Sequence, residues 1–523
     1  MNFLSIIYAL FLIGVLGVYW SVRSVSQTRT SAKDAPSSAS QSKRMWILLI
    51  ASLIFYASLQ VAYVPLLVVI TFINFRLGKA IGANAALGQQ AIDQRISNED
   101  WQKVQAVWNR RRLNFLWLGI VLNIILLVGF KYVPFFLNSI AGIFNWQIAE
   151  DSATWVGANL VVPLGLSFFV FECIAYLIDV YRGAPATKKF LDFAAYKLFF
   201  PKLIIGPITR FHYFASQMKA LQFPTLDQFT EGFWLIACGA VKKALLADNL
   251  AFIVDLIWGN GNLQRAGSVD LWLAMFAYGL QIYLDFSGYV DWARGSAILL
   301  GINLPENFDF PYFSTSIAQF WRRWHMTLGD WLRNYLYFPL GGSRRGLGRT
   351  CLNLLIVMLI AGIWHGAAWG FVVWGGLHGL ALVVHRLTEA VSNKFKLAQN
   401  WWQSIPGVVV AWLLTQLMVF TSWIFFKLPN LKDSVWVVQH LWGHNADIQF
   451  AQKVYGEAIR LDQFQLSLLL IFLVALMGVA YIVQRGLKLQ LNWPLKLLLV
   501  PMCLYTVWVL APTGGSPFIY FDF

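Results

Sequence analysis

The chain has 523 residues, of which 58% are hydrophobic, 16% aromatic and only 12% charged. Charged residues make up about 25% of an ordinary soluble protein, so this composition excludes a soluble protein. The formal net charge is +15. Because the basic residues lie in loops between apolar segments, this charge indicates membrane topology, and no nucleic-acid partner is expected.

Apolar stretches that can form membrane spans occur along the whole chain. A spanning helix needs about 20 apolar residues, and the stretches predict about 11–13 such helices. They lie at 2–22, 45–60, 61–77, 113–137, 156–181, 229–258, 271–300, 351–366, 368–386, 406–428, 466–484 and 494–512. The sequence therefore predicts an all-α polytopic membrane protein, and no internal repeat of the transporter kind is visible.

The distribution of basic residues predicts the topology. No Lys or Arg precedes the first span, whereas Arg23 and Arg29 follow it, which indicates a retained span with the N-terminus outside. Loops 23–44, 76–112, 182–228 and 301–350 carry five, seven, seven and six Lys plus Arg residues, and the alternate loops carry few. The basic loops are therefore expected on the cytoplasmic side.

Two regions are neither spans nor simple loops. Residues 198–213 contain a short apolar run interrupted by Pro201, Gly206 and Pro207, and they are predicted to be re-entrant or interfacial. Residues 314–337 predict one amphipathic helix at the cytoplasmic face, because their apolar side chains share an arc of about 120°. Those side chains are Phe320, Trp321, Trp324, Leu328, Trp331, Leu332 and Tyr335.

Among the seven histidines, His365 lies in an apolar, glycine-rich segment. An ionisable group is costly there, so a neutral imidazole is expected, and a neutral imidazole is the usual general base. The adjacent Gly366 would let a backbone or a substrate approach closely. A histidine that hydrogen-bonds between helices is an equal alternative. His378 and His385 share a helix face and are expected to pack or to join helices.

Other catalytic patterns are weak or missing. His325 and Asp330 form the H-x-x-x-x-D pattern of glycerolipid acyltransferases, but five residues of a helix would point them about 140° apart. No G-x-S-x-G, H-E-x-x-H, Walker A or Rossmann motif is present. The four cysteines lie singly in apolar runs, so neither a disulfide framework nor a metal site is expected.

Acidic residues also occur at membrane depth, namely Glu172, Asp179, Asp285 and Asp291. With Asp285, the neighbouring Ser287 is a candidate for the lining of a polar tunnel. Internal ion pairs are an equal alternative, such as Asp291 with Arg294.

Several sequence blocks together resemble the membrane-bound O-acyltransferase (MBOAT) family, and within it the bacterial branch that acts on polysaccharides such as alginate. They are VPLGLSFFVFECIAYLIDVYRG (162–183), FFPKLIIGPITRF (199–211), GAVKKALLADNLA (239–251), QIYLDFSGY (281–289), LPENFDFPYFSTSIAQFWRRWHMTLGDWLRNYLYFPLGG (304–342), WHGAAWGFVVWGGLHG (364–379) and FIYFDF (518–523). The resemblance implies a single membrane domain with a central tunnel. Its parts would be N-terminal spans (1–150), a catalytic core (151–390) and C-terminal spans (391–523).

The resemblance also implies the reaction. An acyl group, usually acetyl, would pass from a cytoplasmic thioester, acetyl-CoA or an acyl-carrier protein, across the bacterial inner membrane to an exported or cell-surface polysaccharide. No bound cofactor is expected. His365 corresponds to the family's catalytic base and His325 to its second histidine.

The remaining candidate residues lie on two sides of this tunnel. Arg322, Arg323 and Arg333 are expected to attract the donor or anionic lipid, and Asn334 stands where many relatives have an aspartate. The terminal Tyr520 is the candidate acyl relay, with an aromatic membrane-interface contact as the alternative. The relay implies an extracytoplasmic partner resembling a serine hydrolase.

Two other functions share parts of this pattern. A transporter or flippase of a lipid-linked saccharide would also need membrane acids and broken helices. A lipid or protein acyltransferase would share the chemistry and differ in the acceptor.

Overall fold

A computed structural model describes residues 5–22, 38–93, 98–259, 261–512 and 514–521. Within these ranges, the side chains at 38, 84–93, 98–106 and 521 are not described. The described residues form helices and connecting segments and contain no β-strand. They divide into two compact units, Met1–Ile236 with Ala293–Pro305, and Ala237–Trp292 with Glu306–Phe523. The predicted single domain and its three parts stay a prediction.

The first unit is built from helices in the N-terminal half of the chain, together with residues 293–305. They are α1 (Ile6–Ser21), α2 (Ser38–Gln60), α3 (Val64–Asp93), α4 (Asn98–Lys131), α5 (Val133–Phe144), α6 (Gln147–Asn159), α7 (Leu166–Tyr181), α8 (Phe190–Lys197), α9 (Phe211–Lys219) and most of α10 (Leu226–Ala240).

The second unit contains the remaining helices. They are α11 (Asp248–Trp258), most of α12 (Ser268–Leu299), α13 (Ile317–Arg323), α14 (Met326–Leu332), α15 (Leu347–His365), α16 (Trp369–Ser392), α17 (Lys396–Gln403), α18 (Ile405–Lys427), α19 (Leu431–Gln439), α20 (Ile448–Ala451), α21 (Gln463–Tyr481) and α22 (Trp493–Leu510). Short π-helical segments continue several of them, at Val241–Ala247, Arg333–Tyr337, Gln452–Ile459 and Ile482–Gly486.

The all-α, multi-pass membrane fold is confirmed, although fewer helices than predicted meet the length and hydropathy requirements for a span. Among the described residues there are seven such stretches, Ala39–Ala83, Val107–Lys131, Leu347–His365, Trp369–Ser392, Ile405–Lys427, Gln463–Gly486 and Trp493–Leu510. The first joins two predicted spans. Helices α1 and α7 have only 16 residues each. The polar Gln281 and Asp285 interrupt the apolar sequence of α12.

The basic loop predicted at 76–112 is wrong as a loop. Helix α3 continues to Asp93 and α4 begins at Asn98, so most of this region is helical. Polar residues can extend a spanning helix beyond the apolar stretch, and hydropathy marks only the apolar part. Residues 23–37 of the first basic loop lie outside the described part of the chain.

The prediction that residues 198–213 do not form a regular span is confirmed. Residues 198–210 are non-helical and nearly all buried between α8 and α9. A buried ion cluster holds this segment. Glu172 lies 3.0 Å from Lys197 and 2.6 Å from Lys202, and it accepts a hydrogen bond from the Thr209 backbone N–H at 3.0 Å. Non-helical backbone is tolerated at such depth where its polar groups find partners in the protein.

We expect Glu172→Gln to destabilise the protein strongly, because it leaves two buried ammonium groups without a counter-charge. Breaking a buried pair in this way costs about 3–5 kcal/mol. Unfolding of the detergent-solubilised protein should show this loss. Asp227→Asn, at an exposed position, is the control and should change stability by less than about 1 kcal/mol. Equal stability of the two variants would contradict the role of the cluster.

The amphipathic helix predicted at 314–337 is wrong as one continuous helix. Helix α13 ends at Arg323, Trp324 is extended, and His325 has the left-handed backbone angles φ 42° and ψ 55°. Helix α14 then starts at Met326 and passes into the π-helical segment Arg333–Tyr337. The predicted apolar side is nevertheless buried, at Phe320, Trp324, Leu328, Trp331, Leu332 and Tyr335.

Candidate active site

His365 is the last residue of α15, and glycines set its position. A Cβ on Gly362 would lie 2.3 Å from the Phe371 carbonyl oxygen, and one on Gly375 would lie 2.5 Å from the Met358 carbonyl oxygen. Helices α15 and α16 therefore approach backbone to backbone, as small residues allow in membrane proteins. At Gly366 the close neighbour is the Phe371 ring, 2.0 Å from an added Cβ, whereas the sequence suggested a backbone or a substrate.

The His365 side chain is buried, with 3% relative exposure, among aromatic rings. Its ring centroid lies 4.8 Å from that of Trp364, 4.9 Å from Trp374, 5.1 Å from Phe426 and 6.0 Å from Tyr520. These rings and the low exposure separate the imidazole from water. The apolar environment predicted for His365 therefore agrees with the structure, whereas its role as the base stays a prediction.

His325 is held by Asn307. The Asn307 side-chain oxygen accepts hydrogen bonds from the Thr327 backbone N–H at 3.0 Å and from the Thr327 hydroxyl at 2.8 Å, and it lies 3.3 Å from His325 Nδ1. Because an amide oxygen only accepts, Nδ1 donates in this arrangement and Nε2 carries the lone pair. Burial lowers the pKa of His325 to about 3, so its ring is neutral at physiological pH.

The two predicted histidines belong to one aromatic cluster. Trp364 contacts His365, and its ring centroid is 6.3 Å from that of His325. On the other side, Phe286 lies 4.9 Å from His325 and 4.5 Å from Tyr520. The structure therefore brings His325, His365 and Tyr520 together, although they are far apart in the sequence.

Tyr520 reaches this cluster because the C-terminal residues 514–521, here called the tail, fold back into the second unit. Phe518 and Ile519 are buried, at 3% and 7% relative exposure. The Ile519 backbone N–H donates to Asp285 Oδ2 at 2.9 Å. Withdrawal from water and the nearby charge of Asp285 raise the pKa of the Tyr520 phenol, so its deprotonation requires a base.

A buried ion cluster next to the tail was missed in the sequence. Lys243 lies 2.5 Å from Asp285 and 2.9 Å from Asp248. Its ammonium also donates to the Pro517 carbonyl oxygen at 3.2 Å. Lys243 and Asp248 belong to the block GAVKKALLADNLA, where a lysine and an aspartate in an apolar stretch were the available signal. Neighbouring Asp291 pairs with Lys242 at 2.5 Å, so Asp285 and Asp291 of α12 each face a lysine.

The other candidates lie less centrally. Ser287 is buried, and its hydroxyl has no hydrogen-bond partner among the described residues. Arg322 is exposed, Arg323 lies 5.8 Å from the centre of the Tyr481 ring, and Arg333 pairs with Asp330. Asn334 donates to the Asp330 carbonyl oxygen at 2.8 Å. The H-x-x-x-x-D reading finds no support, since His325 and Asp330 have different partners.

His378 joins helices, as the sequence suggested. Trp321 Nε1–H donates to His378 Nδ1 at 3.2 Å, and His378 Nε2 lies 2.9 Å from the Ser422 hydroxyl oxygen. Because Nδ1 accepts, Nε2 carries the proton and donates it to Ser422. This chain of hydrogen bonds connects α13, α16 and α18, and thereby supports the segment that carries His325.

The site combines two buried imidazoles with a phenol, an arrangement suited to proton transfer from a hydroxyl nucleophile. Within the described residues, no group of three or more His, Cys, Asp and Glu side chains could hold a metal ion.

The fold and the site define a polytopic helical membrane protein with a buried, histidine-centred site. The profile of MBOAT, the membrane-bound O-acyltransferase family, matches residues 112–426. The chain belongs to this family and is a membrane-bound O-acyltransferase.

Three relatives illustrate the range of similarity. A probable alginate O-acetylase, AlgI, of Pseudomonas syringae pv. tomato is 37% identical over 392 residues, covering 75% of this chain and 68% of the relative. The peptidoglycan O-acetyltransferase of Helicobacter pylori is 34% identical over 431 residues, covering 77% of this chain and 74% of the relative. The teichoic acid D-alanyltransferase of Bacillus subtilis is 28% identical over 284 residues, covering 52% of this chain and 70% of the relative.

Burial of neutral His325 should make stability fall at acidic pH. An unfolded histidine has a pKa of about 6.5, whereas the folded-state value is about 3. Protons therefore bind the unfolded chain preferentially below pH ~6.5, and stability falls by up to about 1.4 kcal/mol per pH unit. His325→Asn tolerates the left-handed backbone and removes this contribution. Unfolding measured from pH 7.5 to 4.5 should give a shallower dependence for the variant. Parallel curves would contradict the burial.

Proposed function

We propose that this protein transfers acetyl groups from a cytoplasmic thioester for the O-acetylation of an exported or cell-surface polysaccharide. The observation that carries the proposal is the placement of Tyr520, whose ring centroid lies 6.0 Å from that of the buried His365. The names of two relatives support the acceptor class, since they denote O-acetylation of alginate and of peptidoglycan. Both polymers contain sugar chains with free hydroxyl groups.

In the first step, His365 removes the proton from the Tyr520 hydroxyl while the phenolic oxygen attacks the thioester carbonyl carbon. The new C–O bond forms, the C–S bond breaks, and the thiolate leaves and takes up a proton. The product is an acetyl ester of Tyr520. The raised pKa of the phenol explains the need for a base at this point, and general-base catalysis supplies about 10²–10⁴-fold.

In the second step, the serine hydroxyl of a partner protein attacks the ester carbonyl carbon, the bond from that carbon to the Tyr520 oxygen breaks, and Tyr520 leaves as phenol with the proton from the serine. An aryl ester suits this step because a phenol has an ordinary pKa of about 10, below that of a sugar hydroxyl, and protonation of the leaving oxygen offsets the raised pKa of Tyr520 in the site. We assign the step to an extracytoplasmic partner resembling a serine hydrolase, since the chain has no G-x-S-x-G motif. The partner's serine would take the acetyl group and pass it to the polymer.

His325 supports the site from its other side. Its ring stacks edge to face on Phe286, which also contacts Tyr520, so we assign it a role in placing the acceptor or the donor. The thioester, acetyl-CoA or an acyl-carrier protein, would approach from the cytoplasm near α13, where Arg322 is exposed. We place this arrangement in a bacterial inner membrane with the N-terminus outside, as the distribution of basic loops predicts.

Replacement of the proposed base should abolish transfer without loss of the protein. We expect His365→Ala to reduce polymer acetylation by about 10²–10⁴-fold at normal abundance in the membrane. His385→Ala is the control, because His385 lies on α16 away from the aromatic cluster, and it should retain activity. The measurement is acetyl content of the isolated polymer in a deletion strain that carries each variant. Near-normal acetylation with His365→Ala would refute the assignment.

A variant that lacks only the hydroxyl of Tyr520 distinguishes the acyl relay from simple aromatic packing. Tyr520→Phe keeps the ring against Phe286 and removes only the nucleophilic oxygen, so we expect acetylation to fall to the level of His365→Ala. In a strain that lacks the partner, mass spectrometry should find an acetyl group on the C-terminal peptide of the wild type and none on Tyr520→Phe. Full polymer acetylation by Tyr520→Phe would exclude the relay and leave the acyltransferase activity in place.

A further inference from the structure

The tail is held mainly through its backbone. Lys243 donates to the Pro517 carbonyl oxygen at 3.2 Å, and Asp285 accepts from the Ile519 N–H at 2.9 Å. Between these two contacts, the Phe518 ring centre lies 4.8 Å from the Lys243 ammonium. Lys243 and Asp285 are themselves paired at 2.5 Å, so one ion pair contacts three consecutive residues of the tail.

Aromatic contacts fix the register of the tail along α12. Phe518 packs edge to face on Tyr289, with 4.6 Å between ring centroids, and Tyr520 packs on Phe286 at 4.5 Å. Phe286 and Tyr289 are three residues apart and therefore share one helix face. The tail runs antiparallel to α12, and a shift by one residue would remove Tyr520 from Phe286 and from His365.

Local geometry explains why Lys243 reaches α12. It lies in the π-helical segment Val241–Ala247, which starts just after Gly239. A Cβ on Gly239 would lie 2.5 Å from the Gly288 carbonyl oxygen, so the two backbones are in direct contact there. From this position the neighbours Lys242 and Lys243 pair with different acids of α12, Asp291 and Asp285. A π-helical turn in a helix is frequent at functional sites.

We infer that Lys243 is a positioning residue whose buried ion pair with Asp285 clamps the tail backbone in the one register that places Tyr520 beside His365. The inference rests on the proposed function in one respect only, because the proposed function gives the reason why Tyr520 must lie beside His365. Asp285 completes the clamp, and Asp248 holds the Lys243 ammonium from its other side. The charge of Lys243 also offsets that of Asp285, which would otherwise oppose a negative phenolic oxygen.

Hydrogen exchange of the purified, detergent-solubilised full chain tests the clamp directly. In the wild type, peptides that cover 514–521 should be protected. Lys243→Met keeps an unbranched side chain that is only one atom shorter and removes its charge. It should speed exchange of the tail about tenfold or more, because a charge-assisted hydrogen bond is lost and the register is released. Polymer acetylation should fall in parallel.

Lys242→Met is the matched control. Lys242 is adjacent in sequence and forms an ion pair of the same length with α12, but among the described residues it has no hydrogen bond or ion pair to the tail. Tail exchange should stay at the wild-type rate in this variant. Tail protection that persists in Lys243→Met, or is lost equally in both variants, would overturn the inference.

Asp285→Leu provides a variant whose folding is less at risk. Lys243 keeps Asp248 as its counter-charge at 2.9 Å, so no buried charge is left alone, while the Ile519 N–H loses its acceptor. We expect faster tail exchange here too, and unchanged exchange would overturn the clamp. Failure of the proposed function would look different: the tail would be clamped as described, with no acetyl group on Tyr520.

Discussion

The structure depends on one constraint, which is that a charge withdrawn from water must meet an opposite charge inside the protein. Both units satisfy it with a three-membered cluster. In the first unit, Glu172 holds two lysines and the backbone of a buried non-helical segment. In the second, Lys243 holds two carboxylates and the backbone of the tail. Each cluster therefore fixes a piece of chain that lies outside the α-helices.

Close packing and polar contacts then give the site its precision. Glycines at 362 and 375 bring α15 and α16 into backbone contact. This contact fixes the position of the end of α15, where His365 lies. The hydrogen bonds from Trp321 through His378 to Ser422 hold the segment before His325. Asn307 orients His325 itself. The two imidazoles are thus positioned by separate devices, and burial lowers the pKa of His325 so that its ring is neutral.

Hydropathy was sufficient to predict the helical membrane fold, because long apolar stretches have few alternatives in a membrane. The orientation that the basic loops predict stays a prediction. The apolar setting of His365 likewise followed from its neighbours in the sequence. The left-handed break at His325 could not be predicted from the sequence, because the helical periodicity of apolar residues continues across it and only the contact with Asn307 reveals it. The pairs of Lys243 with Asp285 and of Glu172 with Lys202 join residues 42 and 30 positions apart, so a sequence pattern could suggest costly charges but could not match the partners.

The way the tail is held bears on how an acyl relay can operate. A relay residue must be placed accurately and must also change its chemical state without releasing itself. The clamp contacts use the Pro517 carbonyl, the Phe518 ring and the Ile519 N–H, and none of them uses the hydroxyl of Tyr520. Acetylation of that hydroxyl would therefore leave the clamp contacts in place. An ester on Tyr520 would stay at a fixed position while a second protein takes the acetyl group, which is the property that separates a relay from a mobile carrier.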